Sequence, residues 1–113
     1  MVDAYRLRSP LAHLGLEARA HKDADISGTG VVMCEIPYRG LINIRGNADN
    51  PDFVSGVEKA IRHVPPVEAN TVAGKPSTTR IMWLGPNEWL VITKPEGADR
   101  ALTALTKSLK IDG

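Results

Sequence analysis

Three histidines, one cysteine and a few carboxylates are the residues of this chain whose types could do chemistry. Histidines ligate a metal when two share one helix face at a spacing of three or four, or when thiolates complete the set. His13, His21 and His63 fall in three separate elements, and Cys34 stands alone. Metal ligation is therefore not expected, and His63 reads more simply as a partner of a helix carboxyl end. Cys34 excludes an internal disulfide and, within Val31-Val32-Met33-Cys34, reads as a buried thiol in a strand. Nucleophilic catalysis needs a serine or cysteine beside a base, yet Gly-x-Ser-x-Gly is absent and Ser55-Gly56 lies inside a predicted helix. Asp49, Asp52 and Glu88 could approach one another as a carboxylate set. The simpler reading gives Asp49 and Asp52 to a helix start and leaves Glu88 as a solvated edge charge. Gly28-Thr29-Gly30 lacks the third glycine of a dinucleotide loop. Ala73-Gly74-Lys75-Pro76-Ser77 puts proline between the lysine and serine of a phosphate loop. No convincing catalytic set emerges.

Binding chemistry fares better. Trp83 and Trp89 on a sheet could stack nucleic-acid bases, but the formal net charge is only +1 and no basic stripe accompanies them. Protein binding is the stronger expectation. Tryptophan, methionine and arginine are enriched at interface cores, and Trp83, Trp89 and Met82 with Arg45 or Arg80 would supply such anchors. Each tryptophan reads equally well as a residue of the chain's own core.

The elements that must position these residues follow from pattern. Ile81 to Leu84 and Trp89 to Ile92 flank Gly85-Pro86-Asn87, which predicts a β-hairpin. Alternation places Ile81 and Trp83 on one face and Met82 and Leu84 on the other. Val31 to Ile36 and Leu41 to Arg45 read as two further strands around Pro37-Tyr38-Arg39-Gly40. Ile42 and Ile44 share one face of the second, Asn43 and Arg45 the other. Asn50, Pro51 and Asp52 predict a helix start, followed by the stripe Phe53, Val57, Ile61 and Val64 and ended by Pro65-Pro66. A short strand at Asn70 to Ala73 is possible. A last helix runs from about Gly97 to Lys110, with Ala98, Leu102, Leu105 and Leu109 on its stripe. Upstream, Leu11 to Leu16 suggests one helical turn opened by Ser9-Pro10, and Glu17 to His21 an edge strand or loop.

Together these predict an α+β fold: a small, mostly antiparallel sheet with two helices on one face, in the order ββαββα. With 113 residues, 42% hydrophobic and 24% charged, one domain over 1–113 is expected. No apolar run approaches the ~20 residues that span a bilayer, and Met1-Val2-Asp3-Ala4-Tyr5 lacks a signal-peptide core. A cytoplasmic protein binding neither membrane nor nucleic acid is the expectation. An apolar sheet with one layer of helices leaves one face in need of cover.

The hairpin segment Trp83-Leu84-Gly85-Pro86-Asn87-Glu88-Trp89-Leu90 resembles the "WLGPDEWL" signature of gamma subunits of heterotetrameric sarcosine oxidase. Arg8-Ser9-Pro10-Leu11-Ala12 matches that family's "SPL" opening, and Leu41 to Asn47 with Asp49 to Phe53 resembles its "LRGD…DPAF" element. Val64-Pro65-Pro66 and Asn70-Thr71 resemble its "LP…N", so the match covers roughly Arg8 to Ile92 in order. Asn87 and Asn47 depart from the family's aspartates, which weakens any acid–base role there. The resemblance implies a fold like the amino-terminal domain of tRNA-modification GTPases and the small domain of aminomethyltransferases. It implies a non-catalytic subunit, with alpha, beta and delta subunits as partners. FAD, FMN, NAD and tetrahydrofolate would then be held by those larger chains, and none by this one. Many relatives run longer, so the chain is expected to be a short family member or a fragment. An independent folate-dependent one-carbon-transfer domain and an RNA-binding module are the competing readings.

Overall fold

A computed structural model describes residues 8–24 and 26–111. The chain divides into two compact units, 1–38 and 39–113.

In the first unit a 3₁₀ turn, Ala12–Leu14, precedes helix α1, Leu16–Ala24. The turn closes at Gly15, whose φ of 58° is left-handed. Ser9 and Pro10 lie ahead of the turn rather than capping it, since Leu11 occupies the cap position. Helix α1 corrects the expected edge strand or loop at Glu17 to His21. Glu17, Ala18, Arg19, Ala20 and Lys22 are strong helix formers, with Glu17 in the first turn and His21 and Lys22 in the last, as the helix dipole favours. Val31 to Ile36 forms no strand, which also corrects the expectation. A strand exists only where its backbone joins a ladder, and residues 31–36 make no backbone hydrogen bond to another described residue. Cys34 is accordingly exposed, not buried.

The second unit holds a four-stranded antiparallel sheet and two helices. Its elements are β1 (Gly40–Arg45), α2 (Pro51–Ile61), β2 (Val72–Gly74), β3 (Arg80–Gly85), β4 (Glu88–Thr93) and α3 (Ala98–Ser108), with a 3₁₀ turn at Pro95–Gly97 before α3. Strand order is β1-β4-β3-β2. The order of elements here is therefore βαβββα, with the predicted first strand missing and the short strand near residue 72 present. The α+β class and the antiparallel sheet stand.

Local chemistry explains the boundaries. The Asn50 side chain accepts a hydrogen bond from the Asp52 backbone N–H at 3.0 Å, and Pro51 takes the first helical position. Helix α2 stops when Arg62 turns left-handed at φ 66°, its N–H donating to the Glu58 carbonyl at 2.8 Å. Val64 thus leaves the predicted stripe and is 47% exposed. In α3 the buried side belongs to Leu105, with Leu109 packed against the core, while Leu102 faces out at 52% exposure. The β3–β4 hairpin closes through Pro86 and Asn87, with a bulge between Trp83 and Gly85. The Asn87 carbonyl accepts from Gly46 N–H at 3.1 Å and its side-chain oxygen from Ala48 N–H at 3.3 Å. The turn thereby holds the loop that leads into α2.

Helices α2 and α3 cover one face of the sheet. The core comprises Ile44 from β1, Ile81 from β3, Trp89 and Val91 from β4, Val57 and Ile61 from α2, and Leu105 from α3. Gly56 lets the helices approach: a Cβ there would stand 2.7 Å from Leu109 Cδ2 and 3.2 Å from the Ser108 carbonyl oxygen.

Candidate protein interface

The strand register sorts every sheet residue onto one of two faces. Trp83 stands opposite Trp89 across the hairpin, and Ile81 opposite Val91, so all four share the helix-covered face. Trp89 is fully buried. Its ring lies 5.5 Å from that of Phe53 with a 35° tilt, and its indole N–H donates to the Pro66 carbonyl at 2.7 Å. That bond satisfies the indole and pins the chain beyond α2. Trp89 is therefore a core residue, which corrects its assignment to a partner interface. Trp83 is half-buried and packs against the same core.

Met82, Arg45 and Arg80 lie on the other face. Three rows cross it. Leu41, Ile92, Arg80 and Gly74 form the first, Asn43, Leu90, Met82 and Val72 the second, and Arg45 with Glu88 the third. Leu41 is 63% exposed, and Val72 almost half exposed. Sequence reasoning named Met82 but missed Leu41, Val72, Leu90 and Ile92. The alternation that put Asn43 and Arg45 on one face extends directly to Leu41, so the signal was present. An apolar sheet face with side chains as exposed as Leu41 and Val72 is a surface that excludes water best against another protein.

The polar groups on this face are unevenly satisfied. Glu88 accepts from Asn43 Nδ2 at 2.9 Å and pairs with Arg45 at 3.4 Å. Arg80 is half-buried, and its Nε is shut from solvent with no hydrogen-bond partner among the described residues. The catalytic alternatives find little support here. Asp52 sits at the α2 start, and Glu88 is engaged across the sheet. No three His, Cys, Asp or Glu side chains among the described residues are grouped to hold a metal. A cleft of about 610 Å³ between the α2 start and the α3 end, lined by Asn50, Asp52, Lys59 and Lys110, is open to solvent. No described helix is long and apolar enough to cross a membrane.

Fold and face together define a small α+β protein whose best-formed functional feature is an apolar sheet surface. Residues 45–110 match the sarcosine oxidase, gamma subunit family. The chain is 35% identical over 94 residues to sarcosine oxidase subunit gamma of Corynebacterium sp. (strain P-1), across 83% of this chain and 43% of that protein. It is 32% identical over 97 residues to the same subunit of Arthrobacter sp, with the same coverage. Among solved structures it resembles a chain of heterotetrameric sarcosine oxidase from Corynebacterium sp. U-96 in complex with pyrrole 2-carboxylate. That likeness has a TM-score of 0.71 at 28% identity, over 94% of this chain and 52% of the other. The chain belongs to the sarcosine oxidase gamma subunit family, and it spans about half the length of the relatives it matches.

Proposed function

We propose that this chain is a non-catalytic gamma-type subunit of a heterotetrameric, flavin-dependent sarcosine oxidase in the cytoplasm, where it supports assembly with alpha, beta and delta subunits. In this reading the complex oxidises sarcosine to glycine, passes the methyl carbon to tetrahydrofolate and forms hydrogen peroxide. FAD, FMN, NAD and the folate are bound by the other subunits. One observation carries the proposal: a member of the gamma-subunit family presents, on the sheet face opposite α2 and α3, the apolar residues Leu41, Met82, Leu90, Ile92 and Val72, of which Leu41 is 63% and Val72 48% exposed. Burying that face against a larger subunit removes apolar surface from water at roughly 25 cal/mol per Å², and the ordered sheet limits the entropy lost on docking.

Co-expression of the tagged chain with the larger subunits is the test, read by mass, flavin absorbance and sarcosine-dependent peroxide formation. The expected result is a yellow, active complex containing this chain, which falls apart when the chain is omitted. A colourless monomer that ignores those subunits overturns the proposal. Folate or oligonucleotide binding by that monomer would favour a one-carbon-transfer domain or an RNA-binding module instead.

A further inference from the structure

Arg80 is the misfit of the outer sheet face. Its neighbours in register are Ile92 on one side and Gly74, which has no side chain, on the other, with Leu41 beyond Ile92. Met82 follows two residues along the same strand and face. The one carboxylate on this face, Glu88, lies four residues from Ile92 along β4, about 13 Å away at 3.3 Å per residue. Glu88 is already engaged by Asn43 and Arg45. The Arg80 side chain makes no hydrogen bond or ion pair with any described residue, and its Nε is sealed from water. A half-buried cation pays for lost hydration, and an unpaired buried N–H adds to that cost. No carboxylate in the neighbouring rows reaches it, and its Nε has no acceptor among the described residues. An apolar surface with one uncompensated guanidinium has a defined complement: an apolar surface carrying one carboxylate.

We propose that Arg80 receives an aspartate or glutamate side chain of the partner protein that covers this face. The proposal rests on the reading of the chain as a subunit held through its outer sheet face, and adds the chemistry of its partner. The planar guanidinium fork takes a carboxylate through two parallel N–H bonds. Docking re-seats the side chain, so that Nε–H gains the acceptor it lacks in the free chain. Ile92, Leu41 and Met82, its neighbours on this face, then exclude water around the pair.

The test uses the full chain and the co-expressed larger subunits, comparing wild type with Arg80→Met, Arg80→Lys and Leu41→Lys. Removing one member of a desolvated, hydrogen-bonded ion pair should raise the Kd of Arg80→Met by about 30-fold or more. Arg80→Lys should fall between it and wild type, since an ammonium keeps the charge but not the fork. The melting temperature of free Arg80→Met should be unchanged or higher, because an unpaired donor is removed. A large fall in that melting temperature would show a role within the fold and overturn the inference. Leu41→Lys separates the two readings. If it weakens assembly and Arg80→Met does not, the face is right and the carboxylate is wrong. If neither substitution matters, the face itself is wrong. Thermal shift with acetate or glycine covers the remaining source of a carboxylate: Arg80-dependent stabilisation of the free chain, with assembly unchanged, would assign the residue to a small ligand and overturn the proposal.

Discussion

The two faces of the sheet are built from similar residues and do opposite things. On one, Ile44, Ile81, Trp89 and Val91 vanish beneath α2 and α3. On the other, Leu41 and Val72 remain in contact with solvent. Composition alone does not separate them; register and the placement of two helices do. The inner face also satisfies its polar group, since the Trp89 indole reaches the Pro66 carbonyl. The outer face leaves Arg80 Nε without an acceptor. A face closed on itself stores stability, whereas a face with unmet chemistry stores affinity.

Substitutions should therefore fall into two classes. Trp89→Ala should have the largest effect. It empties the centre of the core, removes the stacking with Phe53 and strands the Pro66 carbonyl, at a cost of about 3–5 kcal/mol. Urea unfolding of the chain would measure it, and a loss under about 1 kcal/mol would mean that the inner face is not the core. Leu41→Lys should behave oppositely. The residue is 63% exposed on the edge strand β1, where lysine is well tolerated, so stability should change by no more than about 0.5 kcal/mol. Its effect should surface in assembly with the larger subunits. A variant that unfolds while its assembly is untouched would erase the distinction between the faces.

How far the sequence foretold this arrangement depends on whether the deciding information was local. The start of α2 was legible because Asn50, Pro51 and Asp52 each act on the first helical turn. The hairpin was legible because Pro86-Asn87 sits between two apolar runs. From that turn the pairing of Trp83 with Trp89 also follows, so both had to share one face; reading each tryptophan separately missed this. The failures were non-local or masked. Val31 to Ile36 has a strand's composition, but a ladder needs a partner, which no local pattern reports. Helix α1 has formers without an apolar stripe, so a search for periodicity passed over it. Arg62 ends α2 in a left-handed conformation that arginine gives no warning of, and this moved Val64 out of the core. Asn50→Ala would show how much the local signals weigh energetically. Loss of the cap bond to Asp52 N–H should cost about 1 kcal/mol, seen as a lower unfolding midpoint with unchanged assembly.

The smallest effect expected is at the Arg45–Glu88 ion pair of the outer face. Arg45 and Glu88 are 3.4 Å apart, and their side chains are 76% and 34% exposed. Water and salt screen such a pair, so a double-mutant cycle should give a coupling of roughly 0–1 kcal/mol. Glu88 stays anchored by Asn43 when Arg45 is truncated, which lowers the cost of Arg45→Ala further. The contrast with Arg80 is the useful part. Arg45 has a carboxylate and an exposed side chain; Arg80 is half-buried, and its Nε has no acceptor among the described residues. Arg45→Ala should thus leave assembly nearly unchanged while Arg80→Met weakens it strongly. Equal losses from the two would mean that the partner responds only to the total positive charge of the face, and raising the salt concentration would then abolish both effects together.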